Sequence, residues 1–194
     1  MPWQKFWDEK IKDIAKTSKV VLDVGGSKRF QKGMKEYKDL FSNHDYKTLD
    51  IVAEYKPDII GDIKNIPLPD ESVDAVICRA VLEHIDEPFK AVAEMNRILK
   101  PGGKCLVSLP FLYPYHAEVG YYGDFYRFTQ DGIKYMFRNF SKIEVCKIRG
   151  IFGTLVNLLP VKFLRRVGEP VAIILDNIFR SKNQTSGYNV YLIK

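Results

Sequence analysis

The sequence predicts an α/β fold, a doubly wound and mostly parallel seven-stranded sheet with a helical insertion before the last strand. Three observations point there. Short apolar runs rich in β-branched residues recur along the chain, as strands buried on both faces require. Between several of them lie segments with apolar residues at helical spacing. Strong turn signals, above all Lys100-Pro101-Gly102-Gly103, separate the two kinds. Strands alternating with helices imply parallel pairing.

The elements follow in order. Pro2 suits a first helical position, and Trp3, Phe6, Trp7, Ile11 and Ile14 recur at helical spacing, so a helix is expected over 2–16. It either docks on the domain or covers a pocket. Strands are expected at Val20–Val24, Tyr46–Ile51, Asp58–Ile60, Val73–Cys78, Lys104–Leu109, Ile143–Ile148 and Tyr188–Ile193. A helix from Pro88 to Leu99 carries Ala91, Val92, Met95, Ile98 and Leu99 on one face, and another runs from Thr129 to Arg138. Between the last two strands, 149–187 is too long for a structureless loop. Two apolar helices are expected there, over Gly153–Arg166 and Val171–Arg180, with Lys162, Arg165, Arg166, Arg180 and Lys182 at their ends. The organisation expected is one domain over 1–194, with an N-terminal helix in 1–18 and the insertion in 150–186.

Composition narrows the function classes. A hydrophobic fraction of 46% and a charged fraction of 28% suit a globular domain. No run of eighteen apolar residues offers a transmembrane span, and acids near the N-terminus argue against a secretion signal, so a cytoplasmic protein is expected. Cys78, Cys105 and Cys146 lack metal-ligand spacing and read as buried thiols; no residue is assigned to a metal. The net charge is +6, yet residues 41–100 carry seven Lys/Arg against twelve Asp/Glu. No basic run interleaved with aromatics appears, so nucleic acid is not an expected partner.

In open parallel sheets, ligands bind beyond the carboxyl ends of the strands. After the first strand stands Asp23-Val24-Gly25-Gly26-Ser27-Lys28-Arg29. It lacks the second and third glycines of G-x-G-x-x-G, which argues against a nicotinamide dinucleotide. Asp50 ends the second strand 25 residues after Gly25, where an acid accepts hydrogen bonds from ribose hydroxyls. After the third strand, Asp62 is an acceptor for an adenine amino group, with Ile51 and Ile63 as apolar walls.

The order L-D-V-G, L-D, G-D-I-x-x-I-P-L-P-D-x-S-V-D-A-V, V-L-E-H-I and R-I-L-K-P-G-G, across Lys19 to Leu109, resembles the class I S-adenosylmethionine-dependent methyltransferases, in particular their type 11-like domain. The resemblance implies a Rossmann-like fold and S-adenosylmethionine as cofactor. It implies that Asp23, Gly25 and Gly26 border the methionine part, Asp50 holds the ribose, Asp62 and Ile63 meet the adenine, and Arg79 and Ala80 form the floor. Ser27 stands where the family usually has glycine. Its hydroxyl, or Lys28 or Arg29, is a candidate partner for the cofactor carboxylate.

Beyond the fifth strand, Tyr113-Pro114-Tyr115-His116 leads to Asp124-Phe125-Tyr126-Arg127-Phe128-Thr129. This resembles a D-Y-x-R-F-T segment of some bacterial methyltransferases from surface-polysaccharide gene contexts. Tyr115, Asp124, Tyr126 and Arg127 are therefore expected at an acceptor sugar. The competing reading makes Asp124–Arg127 a structural pair and the tyrosines packing groups. A hydroxyl acceptor benefits from a general base. His116 is the preferred base and His84 the second, although the Glu83-His84 pair also suits a packing role. The expected activity is methyl transfer to a small-molecule or glycan hydroxyl; the alternatives are a non-catalytic binding module and an RNA or protein methyltransferase. The late helices admit three readings: packing on the sheet edge, a homodimer contact, or a peripheral contact at the inner membrane face, which suits a lipid-linked acceptor.

Overall fold

The computed structural model describes residues 1–31, 33–179 and 183–194. Helix α1 (Pro2–Thr17) precedes β1 (Val20–Val24), β2 (Asp45–Asp50), β3 (Ile59–Ile60) and β4 (Val73–Arg79). Then come α2 (Pro88–Ile98), β5 (Leu99–Pro110), α3 (Gln130–Met136), β6 (Lys142–Ile148), α4 (Ile151–Leu158), α5 (Lys162–Ile178) and β7 (Gly187–Ile193). The sheet order is β3-β2-β1-β4-β5-β7-β6, with only β7 antiparallel to its neighbours. The order reverses between β1 and β4, and the crevice at their carboxyl ends is where such sheets bind ligands. This is the expected doubly wound, seven-stranded sheet.

One face of the sheet packs on α2 and α3 through Leu22, Val76, Met95, Val107, Ile133 and Phe137. The other takes α1, whose Trp7, Ile11 and Ile14 bury against Val21, Ala75, Ile77, Leu106 and Tyr191. Ion pairs at 2.6 Å from Lys10 to Glu144 and from Lys104 to Asp13 fix its position, and Asn189 Nδ2 donates to the Trp3 carbonyl at 3.1 Å. α1 therefore lies across the late strands.

The boundaries differ most from the sequence expectation in two places, the start of β5 and the insertion, where α5 begins at Lys162 and not at Val171. β5 begins at Leu99 rather than Lys104, because Leu99 pairs with Val73 before the Pro101-Gly102-Gly103 turn shifts the register to Ala75–Lys104. In the insertion, the first helix stops at Leu158. Leu159 is extended (ψ 137°) ahead of Pro160, as the proline ring demands, and Arg165 and Arg166 pass to α5. α5 carries Pro170 in its interior, at the loss of one backbone hydrogen bond. Asp176 of α5 accepts the backbone N–H groups of Gly150, Phe152 and Gly153, capping α4 and joining the two helices. Arg180 and Lys182, among the basic residues expected at the helix ends, lie outside the described residues. Among the described residues no helix is long and apolar enough to cross a membrane.

Candidate active site

The loop after β1 is held from beneath. Asp23 is buried and accepts a 2.6 Å hydrogen bond from the Tyr46 hydroxyl. A Cβ on Gly26 would fall 2.5 Å from Asp23 Oδ2. Gly25 is left-handed (φ +66°), and a Cβ there would meet Val81 at 2.3 Å. Both glycines are thus required by close approach rather than by chain freedom alone. Ser27 is also left-handed (φ 55°), which accounts for the usual glycine there. Its backbone N–H donates to Asp50 Oδ2 at 3.1 Å, while Val52 N–H donates to Oδ1 at 3.1 Å. Asp50 thus ties the ends of β1 and β2 together and keeps lone pairs for further donors.

The flanking residues divide. Ile51 is 61% exposed beside Asp50, an available apolar wall, whereas Ile63 is 4% exposed and belongs to the core. Its side chain forms no wall of the crevice. Asp62 accepts the Lys64 N–H at 2.8 Å through Oδ1 and remains partly open. Arg29 is not a free carboxylate partner: its Nε donates to both oxygens of Asp58 at 2.8 and 2.7 Å. Burial pushes the Asp58 carboxyl up, but Arg29 and the Thr48 donors outweigh it and hold it below its ordinary range. Lys28 is exposed. A buried acid pair, a close glycine turn and one exposed isoleucine fit a ribosyl cofactor with an apolar ring.

Next to this crevice lies a cavity of about 940 Å³ over the ends of β4, β5 and β7. Its floor includes Arg79, Ala80, Glu83 and Ser108, and its roof is α1, through Trp3, Trp7 and Asp8. The Arg79 guanidinium lies 5.0 Å from the centre of the Trp7 ring. Arg149, left-handed at φ 64°, reaches the cavity from the end of β6 and faces the Trp3 ring at 5.4 Å. The roof and Arg149 escape residue-by-residue prediction. The spacing of Trp3 and Trp7 was the only signal, and it suited docking equally well.

Tyr113 and His116 line this cavity, while Tyr115, Asp124, Tyr126 and Arg127 do not. Tyr115 is 77% exposed, and the Tyr126 hydroxyl donates to the Asp86 carbonyl at 2.9 Å. Arg127 donates to both oxygens of Asp124 at 2.5 and 2.7 Å and to the carbonyls of Tyr113 and Pro114. Asp124 also accepts the His116 backbone N–H at 2.8 Å. Arg127 holds the Asp124 carboxyl far below its ordinary range, against burial. Asp124 and Arg127 therefore latch the loop over 111–128 instead of facing an acceptor. What they place is His116.

Glu83, His84 and His116 come together. Ala80, left-handed at φ 53°, turns the chain out of β4 into a short 3₁₀ segment over Leu82–His84. Glu83 is 1% exposed, and its carbonyl accepts the N–H groups of Phe125 and Tyr126. His116 Nε2 lies 3.5 Å from Glu83 Oε1, an ion-pair distance without a formed hydrogen bond. Glu83 raises the His116 pKa above the ordinary value, against desolvation. His84 meets His116 edge-on at 4.8 Å between ring centres and lies tilted against Tyr122 at 4.5 Å.

Residues 23–107 match the family described as a methyltransferase domain. The whole fold matches a solved S-adenosylmethionine-dependent methyltransferase from Archaeoglobus fulgidus, with a TM-score of 0.64 at 15% identity, over 96% of this chain and 90% of that one. Residues 23–107 thus carry a methyltransferase domain, and the fold around them is that of solved S-adenosylmethionine-dependent methyltransferases. The cofactor of this domain is S-adenosylmethionine. A ubiquinone/menaquinone biosynthesis C-methyltransferase of Pseudoalteromonas translucida is 31% identical over 118 residues, 60% of this chain and 42% of that protein. A probable S-adenosylmethionine-dependent methyltransferase of Mycolicibacterium smegmatis is 46% identical over 50 residues, 26% of this chain and 20% of that protein. The chain spans less than half the length of these two relatives.

Proposed function

We propose that the protein is an enzyme that transfers a methyl group from S-adenosylmethionine to a small-molecule or glycan hydroxyl held in the cavity beneath α1. The observation that carries this reading is the adjacency of two unlike sites. The Asp23–Asp50 crevice suits the cofactor, and the next opening in the floor, past Arg79 and Ala80, is a cavity with Glu83 and His116 in its wall.

S-adenosylmethionine supplies an electrophilic methyl on a sulfonium, and the transfer is an in-line displacement. The carbon–sulfur bond breaks as the carbon–oxygen bond forms, and the hydroxyl proton must leave. Asp50 would hold the ribose beside the apolar face of Ile51, and Asp62 would accept from the adenine amino group. Arg79 and Ala80 form the floor between the two sites. The Glu83–His116 centre, with His84 behind it, is where the hydroxyl loses its proton. Trp7 Nε1, buried without a partner among the described residues, is a further donor in the roof.

Calorimetric titration with S-adenosylmethionine tests the site. Asp50→Ala is expected to weaken binding at least tenfold while a thermal melt still shows a folded protein. Unchanged affinity in that variant removes Asp50 from the site.

The relatives named as quinone C-methyltransferases favour a second reading, in which the methyl goes to a carbon activated by a neighbouring hydroxyl. Both readings need the hydroxyl proton removed, and the mass and NMR spectra of the product separate them.

The peripheral membrane reading gains support from α5. Phe163, Leu164, Val167, Val171, Ile174 and Ile178 are all exposed along it, with Lys162 and Arg166 exposed at its start. Apolar groups beside cations suit an anionic bilayer surface. Vesicles with anionic lipid are expected to sediment the protein at low salt, and Phe163→Glu is expected to abolish it. A dimer in solution with no vesicle binding would assign the face to a second copy instead.

A further inference from the structure

We propose that Glu83, His84 and His116 form a binding site for one divalent first-row cation, open toward the acceptor cavity. The sequence reading assigned no metal ligand, because these residues are split between the β4 turn and the loop that Asp124 and Arg127 hold down. In the fold, one ligand atom from each lies within 4.8 Å of the others.

Glu83 is the first argument. Its carboxylate is 1% exposed, and neither oxygen has a hydrogen-bond partner among the described residues. A buried carboxylate without a partner costs several kcal/mol, so groups of this kind are paired or bind cations. No Lys or Arg side chain ion-pairs with it among the described residues; the group at ion-pair distance is an imidazole.

The two imidazoles supply the second argument. His84 Nδ1 lies 2.6 Å from the Gly123 carbonyl. His116 Nδ1 lies 3.0 Å from the Pro114 carbonyl and 3.3 Å from Asp124 Oδ2. A carbonyl only accepts, so each Nδ1 carries the proton and donates. The lone pair of each ring is left on Nε2. This is the arrangement by which proteins orient metal-bound histidines, with the far nitrogen donating to a carbonyl or carboxylate. It occurs twice here, beside one buried carboxylate whose oxygens have no hydrogen-bond partner among the described residues.

The spacing agrees. Metal–ligand bonds of about 2.1 Å place ligand atoms roughly 3.4 Å apart in a tetrahedron. His116 Nε2 and Glu83 Oε1 are 3.5 Å apart. The widest separation, at most 4.8 Å, has to close by up to about 1.4 Å, which a side-chain rotation supplies. Two imidazoles and one carboxylate are a borderline donor set, suited to zinc, cobalt, iron or manganese, and three ligands leave coordination positions for another molecule. Glu83 and His116 both line the cavity, so those positions face it.

The consequence for chemistry rests on reading that cavity as the acceptor site; the metal site itself does not. An acceptor with two adjacent oxygens would chelate the cation. Coordination weakens the O–H bond, the proton leaves to solvent, and the oxygen lone pair is free to attack the methyl carbon. His116 is then a ligand, and the proton passes out through the coordinated oxygen.

The test uses untagged full-length protein, treated with a chelator and dialysed. Cobalt(II) is titrated in while its visible absorption is followed, and zinc(II) is titrated by calorimetry. One equivalent of each is expected to bind, with cobalt bands of tetrahedral or five-coordinate intensity. His116→Ala and Glu83→Gln are each expected to weaken binding at least tenfold, with the fold checked by thermal melting. Absence of stoichiometric binding overturns the proposal and makes Glu83–His116 a proton-sharing pair. Binding that survives both substitutions overturns it equally, by placing the metal elsewhere. S-adenosylmethionine binding by the metal-free protein, measured in parallel, reports on the cofactor site alone, so the two readings fail separately.

Discussion

Around the loop after β1, proposed above for the cofactor, the acids are committed to partners within the fold. Asp50 holds the N–H groups of Ser27 and Val52, Asp23 holds Tyr46, and Asp58 holds Arg29 and Thr48. On the acceptor side, polar atoms are left open, among them both oxygens of Glu83 and the indole nitrogen of Trp7. A cofactor shared by many enzymes can be held by a fixed frame, with pre-formed loops and little left to adjust. An acceptor that differs between enzymes, and whose reacting oxygen changes charge, calls for groups that are unsatisfied until it arrives. The two regions therefore answer differently to mutation: the first loses affinity, the second loses turnover.

The largest expected break in this contrast is at Asp124. It belongs to the acceptor side yet is fully committed, to Arg127 and to the backbone of His116. Its carboxylate is buried and Arg127 is about one-quarter exposed, so removing it leaves a partly buried cation unpaired. Asp124→Ala is expected to destabilise the fold by about 3 kcal/mol and lower turnover at least a hundredfold, because the loop no longer places His116. Cofactor affinity is expected to stay within threefold. A thermal melt, a turnover assay and a calorimetric titration read the three quantities. A turnover near wild type would show that His116 does not depend on the latch.

The same contrast governs what could be read from the sequence. β1 and β4 were legible because a strand buried on both faces must be a nearly continuous apolar run, and Val20–Val24 and Val73–Cys78 are such runs, each broken by one aspartate (Asp23, Asp74). The turn after β1 and its tie to β2 were legible because their parts follow strand ends at set spacing, so that Gly25, Gly26 and Asp50 stand out in order. Ile63 was misplaced because an apolar residue after a strand reads alike whether it faces a ligand or the core. The acceptor cavity was largely hidden. Its roof is a helix from the opposite end of the chain, brought there by Ile11 and Ile14, and Arg149 enters through a left-handed backbone that no local pattern announces. Asp124, Tyr126 and Arg127 drew attention as polar and aromatic residues in one short segment. Spacing of three residues serves a latch and a binding pair equally, and only the three-dimensional partners decide.

A smaller effect sharpens the cofactor side. Asp58 has its pKa depressed in the fold, chiefly by Arg29, so its contribution is a stabilisation of the ionised form. Such a contribution is complete above the unfolded-state value of about 3.9 and is lost as pH falls through the lower folded-state value. Arg29 is half exposed, and the pair accordingly contributes about 1 kcal/mol or less. Asp58→Asn is expected to lower stability by that amount at pH 7, with the difference from wild type shrinking toward zero below pH 4. Urea unfolding at pH 7, 5 and 3 measures it. A difference as large at pH 3 as at pH 7 would mean that Asp58 acts through the geometry of its Thr48 contacts and not through its charge.

The smallest effect is at Ser27, where backbone and side chain can be separated. The residue is held at φ 55°, which costs a non-glycine residue about 1 kcal/mol, while its N–H serves Asp50. Ser27→Gly removes that strain but also frees the unfolded chain by a similar amount. Stability is expected to stay within about 0.5 kcal/mol and cofactor affinity within threefold, because the N–H is retained. Ser27→Val keeps the N–H but places a β-branched side chain in the left-handed region, and is expected to cost about 2 kcal/mol. Melting curves and cofactor titrations of the pair distinguish the two causes. A tenfold loss of affinity in the glycine variant, which removes the hydroxyl but keeps the N–H and the backbone freedom, would place the Ser27 hydroxyl on the cofactor.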